Sequence, residues 1–297
     1  MNIICNYRNK TFANKFLKNN LVSSYIISLE KYNLFTETTY SLEEVIDITK
    51  KLKRNNKKVI VDIAKIIHED ELNDLEKDIL LLSQNDVDYF LYSDFGIHYI
   101  LKKNNLIDKA LLYSNTYLTN TFDTKIYQEK NGMVVLSNQI NVEELIKISN
   151  DSYPNQMISA FGLAMIMYTR RPILSNYFKY RCQNYDSKKM NYSLQEEFRD
   201  DLYPIVENDN STKIYDFGYY YLLNELRLVR NNIDIIVSGE MLNNKTYQDV
   251  LNLYCAFLKE EIDEETCLMK LQESKVSLNK GAYARKLTLT KGGNQNA

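Results

Sequence analysis

Tryptophan is absent from this chain, and proline and glycine are scarce, at 3 and 8 residues in 297. With so little of either, no flexible linker divides the sequence, and one domain over residues 1–290 with a frayed tail, 291–297, is expected. Histidine occurs only as His68 and His98, neither beside a cysteine at ligand spacing, so no metal site is predicted. Cys5, Cys182, Cys255 and Cys267 are scattered without a CxxC pair, which reads as reduced thiols and not as a disulfide framework. Long apolar runs are also missing: Ala160 to Tyr168 falls well short of the roughly 20 residues a membrane-crossing helix needs. The opening "MNIICNYRNK" puts a charge where a secretory segment would stay apolar, so a cytoplasmic chain with no membrane partner is expected. A formal net charge of −2 argues against a broad nucleic-acid wrapper and against a DNA partner. Any RNA contact must therefore be local.

What is present is a beat of strand followed by helix. β-branched and aromatic runs recur as "NIICNY", "SYIISLEKY", "KKVIVDIAKII", "VDYFLYSD", "ALLYSNTYLTN", "MVVLSN", "QMISAFG" and "IDIIVSGEM". Amphipathic segments follow them, one opened by a capping box at Ser41 and Glu44. Several strands are apolar almost throughout, as expected where both faces are covered. About eight such segments fit a closed (β/α)8 parallel barrel of the TIM type, with an irregular insertion after the seventh strand. An open doubly wound sheet is the rival, but nothing resembles its glycine-rich phosphate turn.

In a parallel barrel the chemistry gathers at the strand ends. The polar groups there are Asp94 after "FLYS", Asn120 after "TYLT", Arg170 and Arg171 after the central apolar run, and Glu240 after "IIVSG". Two adjacent guanidinium forks beside Lys179 and Arg181 would suit a carboxylate or phosphate. Tyr168, Tyr177 and Tyr180 could stack exposed bases. The alternative is a surface network in which the arginines pair with Glu196, Glu197 or Asp200. Glu240 and Glu207 are the carboxylates available as a general base or as a holder of an arginine. Ser175 and Cys182 have no histidine near them in the sequence to make either a nucleophile.

The stretch "FGLAMIMYTRRPILSNYF" at residues 161–178, with "EEFRDDLYPIVENDNSTKIYDF" at 196–217 and "NNIDIIVSGEMLNNKTYQDVLNLYCAFL" at 231–258, resembles the collagenase-like peptidase family U32. It is most similar to short members of the tRNA wobble-uridine hydroxylation type. The family motif of a glycine, an apolar segment, a hydroxyl residue with arginine, and a leucine-serine step is matched by Gly162, Thr169, Arg170, Arg171, Leu174 and Ser175. Pro172 stands where cluster-bearing members carry a cysteine, so the resemblance brings no iron–sulfur cluster with it. Met157 and Phe161 replace a glutamate and a histidine of the family, and Asn138 and Gln139 replace an arginine-glutamate pair.

The resemblance implies a non-redox factor or subunit in tRNA wobble-uridine hydroxylation. It implies a prephenate-like dicarboxylate, or tRNA itself, held at the barrel rim by Arg170, Arg171, Ser175, Asn176, Tyr177, Asn120 and Asp94. A larger, cluster-bearing U32 paralogue would be the partner that performs the oxidation. A collagenase-like peptidase and a non-catalytic scaffold are the alternatives, and the residues leave open whether this chain is itself an enzyme.

Overall fold

A computed structural model describes residues 1–34, 38–113, 118–129, 132–186, 192–198, 200–208, 211–230 and 233–284. The tail expected at 291–297 lies outside the described residues. Eight parallel strands close into a barrel: β1 (Ile3–Asn6), β2 (Val22–Leu29), β4 (Lys58–Asp62), β5 (Tyr89–Tyr92), β6 (Ala110–Tyr113), β7 (Met133–Leu136), the first half of β8 (Gln156–Thr169), and β12 (Asp234–Val237). A short β3 (Thr39–Tyr40) adds to β2. Closure is made by β12, which pairs with both β1 and β8. Every strand segment expected from the sequence is therefore a barrel stave.

Helices fill the returns: α1 (Lys10–Phe16), α2 (Leu42–Lys53), α3 (Leu72–Gln84), α4 (Phe95–Lys103), α5 (Thr121–Gln128), α6 (Val142–Asp151), and, after the last stave, α8 (Asn244–Leu258) and α9 (Glu264–Glu273). Asparagine, serine and aspartate open them. The side chains of Asn9, Ser41, Asp94, Asn120, Asn141, Asn243 and Asp263 each accept from a backbone N–H of the following turn. These residues satisfy donors that a helix start leaves unpaired. At Ser41 the reciprocal bond from Glu44 completes the capping box.

The two faces of each stave explain its nearly continuous apolar sequence. One face points out to the helices and forms the main core, in which Cys5, Tyr25, Val59, Phe90, Leu112, Val134, Ile158 and Val237 pack against helix residues such as Val45, Leu75 and Leu251. The alternate residues point inward. Ile4, Ile26, Ile60, Leu91, Leu111, Val135, Met157 and Ile236, one from each stave, form a separate apolar plug across the barrel. Period-two alternation, with both sets buried, is what a covered parallel sheet requires.

The insertion after the seventh stave is not irregular. β8 continues past the barrel, and its second half pairs antiparallel with β11 (Ser211–Tyr221); β10 (Leu202–Asn208) and β9 (Tyr192–Gln195) extend that arm. A helix, α7 (Ile173–Tyr180), packs on it through Leu174, over Ile205 and Ile214. Gly162, expected at a strand end, lies within β8. A Cβ there would sit 2.8 Å from the Tyr220 hydroxyl, so glycine is needed for close approach and not for a turn.

Candidate functional site

Two residues beyond the apolar plug, every stave turns polar. The sequence positions are Asn6, Ser28, Asp62, Ser93, Tyr113, Ser137, Ser159 and Ser238. The period of two carries them onto the same inner wall at the carboxyl ends of the strands. Asn6, Ser28, Asp62, Ser137 and Ser159 are all nearly inaccessible. A ring of buried polar groups above an apolar floor is the place in a parallel barrel where loops converge and ligands are handled.

Hydrogen bonds fix this ring. Ser28 Oγ donates to Asp62 at 2.7 Å, and Asp62 also accepts the backbone N–H groups of Leu34 and Ala64 at 3.1 Å, anchoring the loop after β2. Ser93 Oγ donates to the Tyr113 carbonyl at 2.6 Å. At the closure seam, Asn6 Oδ1 accepts from the Gly239 N–H at 3.0 Å, and the Asn6 N–H donates to the Tyr247 hydroxyl at 2.8 Å. Ser238 Oγ lies 2.8 Å from Asn6 Oδ1 and 2.5 Å from Glu240 Oε1. Glu240 is itself buried, with its carbonyl accepting from the Tyr219 hydroxyl at 2.6 Å. Arg8 stands beside it, donating to the Gly239 carbonyl and lying 5.5 Å from the centroid of the Tyr247 ring.

Burial, reinforced by the Glu240 charge, pushes the Tyr220 hydroxyl above its ordinary value; hydrogen bonds from Asn138 and Ser159 work the other way and lose. Tyr113 is pushed up by burial and then by Tyr220. Both phenols therefore stay protonated, available as hydrogen-bond donors and not as bases. The cavity enclosed by Asn6, Tyr113, Ser159, Tyr220, Ser238 and Glu240 is about 20 Å³, roughly one water. Leu34, Leu163, Met165 and Tyr215 cover it, and a dicarboxylate enters only if some of them move.

Arg170 and Arg171 diverge. Arg170 meets Glu71 through two contacts, 2.6 and 3.3 Å, and also donates to the Ile66 carbonyl. Glu71 is held further by Lys65, at 2.7 Å, and by the His68 N–H at 2.8 Å. Burial opposes ionisation of Glu71, but the hydrogen bonds from Lys65, His68 and Arg170 outweigh it and bring its pKa to about 2. The ion partner of Arg170 is thus Glu71 on the β4–α3 loop, and not Glu196, Glu197 or Asp200. Arg171 is exposed, and among the described residues its guanidinium has no partner.

Glu207 is a cap. Its carboxylate accepts the N–H groups of Leu174 at 2.6 Å and Ser175 at 3.2 Å, the Ser175 hydroxyl, and the Thr212 hydroxyl at 3.1 Å. Pro172 precedes α7 and offers no side-chain cap, so an acid from β10 supplies it across space. Ser175 is committed to that bond, while Asn176 and Tyr177 lie on the exposed face of α7. Asp94 and Asn120 cap α4 and α5; Asp94 also accepts from the Ile67 N–H at 3.2 Å. Of the candidate ligand and catalytic residues, Glu240 alone enters the polar ring's hydrogen bonds, although the Gln139 N–H also donates to Ser137 Oγ at 3.1 Å. Asn6, Arg8, Tyr113, Ser159 and Tyr220 were missed; for Asn6, Tyr113 and Ser159 a polar residue two places after an inward apolar one was a readable signal, whereas Arg8 and Tyr220 lie outside that pattern.

Among the described residues no group of three histidine, cysteine, aspartate or glutamate side chains is arranged to hold a metal ion. His98 bonds the Tyr92 hydroxyl at 2.7 Å, and burial lowers its pKa, with Lys102 adding to the effect. Cys5, Cys255 and Cys267 are buried, and burial raises each thiol. No helix is long and apolar enough to cross a membrane among the described residues.

The profile of Peptidase family U32 matches residues 15–292. The tRNA hydroxylation protein P2 of Bacillus subtilis (strain 168) is 23% identical over 219 residues, 71% of each chain. Among solved structures, the U32 peptidase Mk0906 superposes with a TM-score of 0.50 at 12% identity, covering 81% of this chain and 93% of its own. A D-psicose 3-epimerase solved in the presence of D-fructose gives a TM-score of 0.42 at 12% identity, over 93% and 97%.

Proposed function

Because the chain belongs to peptidase family U32, we propose that it acts in tRNA wobble-uridine hydroxylation as a non-redox factor or subunit. The similarity to tRNA hydroxylation protein P2 supports the biological side of this reading and a cytoplasmic place of work. The observation that carries its chemical side is the barrel mouth, where two phenols kept protonated by burial, Tyr113 and Tyr220, join Asn6, Ser159 and Ser238 around a buried volume, while the Arg8 guanidinium, bound to the Gly239 carbonyl, stands outside that lining. Such a donor set suits an anionic small molecule of the prephenate-like dicarboxylate class once the cover of Leu34 and Met165 opens. Glu240 orients Ser238 instead of attacking the guest. Arg171, Asn176 and Tyr177, exposed at the start of α7, are the rim groups left to meet tRNA. The oxidation falls to a larger, cluster-bearing U32 paralogue with which this chain associates.

The test is mass spectrometry of tRNA nucleosides from a strain lacking this chain and any redundant pathway. Wobble hydroxylation is expected to fall, and to be restored by the wild-type gene but not by Glu240→Gln. Undiminished hydroxylation removes the reading. A purified protein that cleaves a peptide library, with cleavage lost on changing the mouth residues, would replace it with the peptidase.

A further inference from the structure

The net charge of −2 conceals a polarised molecule. No aspartate or glutamate occurs from Arg8 to Leu29 or from Ile48 to Val61, and these two stretches hold ten of the chain's 37 lysines and arginines. The fold brings them together. The facing sides of α1 and the C-terminal half of α2 form a groove of about 250 Å³, floored by Ala13, Leu17, Ile48 and Leu52.

Folding accounts for several of the ten. Lys53 pairs with Asp88 at 2.8 Å, Lys57 donates to the carbonyls of Asn19 and Val22, and Lys15 donates to Gln248 at 2.5 Å. The charged side chains of Lys10, Lys51 and Arg54, the three cations on the groove, have no hydrogen-bond or ion-pair partner among the described residues. Lys51 and Arg54 at the end of α2 are also favoured by its dipole. Lys10 is not, because it opens α1, the end of a helix that repels a cation. Helix stability therefore explains two of the three and leaves Lys10 to another purpose.

We propose that this groove binds the sugar-phosphate backbone of RNA. The volume lies below the roughly 300–1,000 Å³ of sites that enclose a metabolite, which favours open contact with part of a polymer. Asn14 and Asn55 stand among the cations on the groove, and amides of this kind bond phosphate and ribose oxygens alongside lysine and arginine. An apolar floor between the charges accepts the face of a ribose or an unstacked base. The surface is built on α1 and α2, separately from the barrel mouth. It deepens the tRNA reading above and rests on it for the choice of RNA.

The experiment is a fluorescence-anisotropy titration of the full chain with an unmodified tRNA transcript between about 50 and 300 mM salt. The combined Lys10→Gln, Lys51→Gln and Arg54→Gln variant should bind at least about tenfold more weakly near physiological salt. Its plot of log affinity against log salt should be shallower by about two to three, near one unit per lost phosphate contact. Lys10→Arg with Lys51→Arg should bind as wild type, and circular dichroism should show the glutamine variant folded. Equal affinity and slope in wild type and glutamine variant overturn the proposal, as does a wild type that fails to bind tRNA. A polyglutamate peptide that binds the groove in place of tRNA overturns it in favour of an acidic protein partner. Loss of hydroxylation in the deletion strain without tRNA binding here would sink this inference alone; binding here with hydroxylation intact would sink the functional reading alone.

Discussion

The Ser175 hydroxyl and the Glu207 carboxylate, 32 residues apart in sequence, are hydrogen-bonded to each other at the first turn of α7. The same carboxylate takes the N–H groups of Leu174 and Ser175, while the leading one, of Ile173, goes to the Thr212 hydroxyl. Glu207→Ala should therefore destabilise the protein by about 2 kcal/mol and Ser175→Ala by about 1 kcal/mol, the range for losing a helix cap and a charged hydrogen bond. Urea unfolding checks both. Wild-type stability in Glu207→Ala would mean that the carboxylate is free for other work.

Acid should act through Glu71. Its folded pKa of about 2 lies below the ordinary 4.5, so the stabilisation is complete above about 4.5 and is lost as pH falls towards 2. Removing the acid also takes the counter-charge from Lys65, whose side chain is 3% exposed and keeps only the Lys31 carbonyl and the Tyr32 ring. Glu71→Gln is expected to cost about 3 kcal/mol at neutral pH and to flatten the fall in stability between about pH 4.5 and pH 2. Denaturation midpoints across that pH range, wild type against variant, measure it.

The two arginines should separate cleanly. Arg170→Ala breaks the Glu71 contact and should lower thermal stability, whereas exposed Arg171→Ala should leave it within about 0.5 kcal/mol. If the rim meets tRNA as proposed, Arg171→Ala weakens binding with the melting temperature unchanged. Paired melting and binding curves distinguish the two roles.

A methyl group at the closure seam should be costly. A Cβ on Gly239 would lie 2.4 Å from the ring of Tyr247, which is fully buried and stacked on Phe12 at 5.0 Å. Gly239→Ala should cost about 3 kcal/mol, the upper range for overpacking, and should shift the tyrosine near-ultraviolet spectrum. A wild-type melting temperature would mean the seam yields more easily than its packing indicates.

The staves were legible because a strand buried on both faces leaves an unbroken apolar run, and the helix starts because capping has a local signature. Ser41 and Glu44 show the latter. The antiparallel arm was not legible, because β8 is one strand with two kinds of neighbour and its sequence does not change where the barrel ends. Gly162 misled for a related reason: its small size answers to Tyr220, far along the chain. At the site, Asp94 and Asn120 looked like ligands because a polar residue between strand and helix has the same appearance whether it caps or binds. Arg170 could not be matched with Glu71, about a hundred residues earlier, from order alone. The polar wall was present in the alternation of every stave, but it becomes visible only when the eight segments are aligned on their inward residues.

Pairing of β12 with β1 sets a schedule for synthesis. At ribosomal rates of roughly 5–20 residues per second, the first stave waits on the order of 10 to 50 seconds for its last neighbour to emerge. Through that interval the nascent sheet has two raw edges and an uncovered greasy lining. The antiparallel arm, translated just ahead of β12, occupies only the outer half of β8, from Phe161 to Thr169, so the inner half from Met157 stays bare until β12 itself arrives. The unfinished ribosome-bound chain therefore depends on the last stave, and not on the arm, to seal its inner edge.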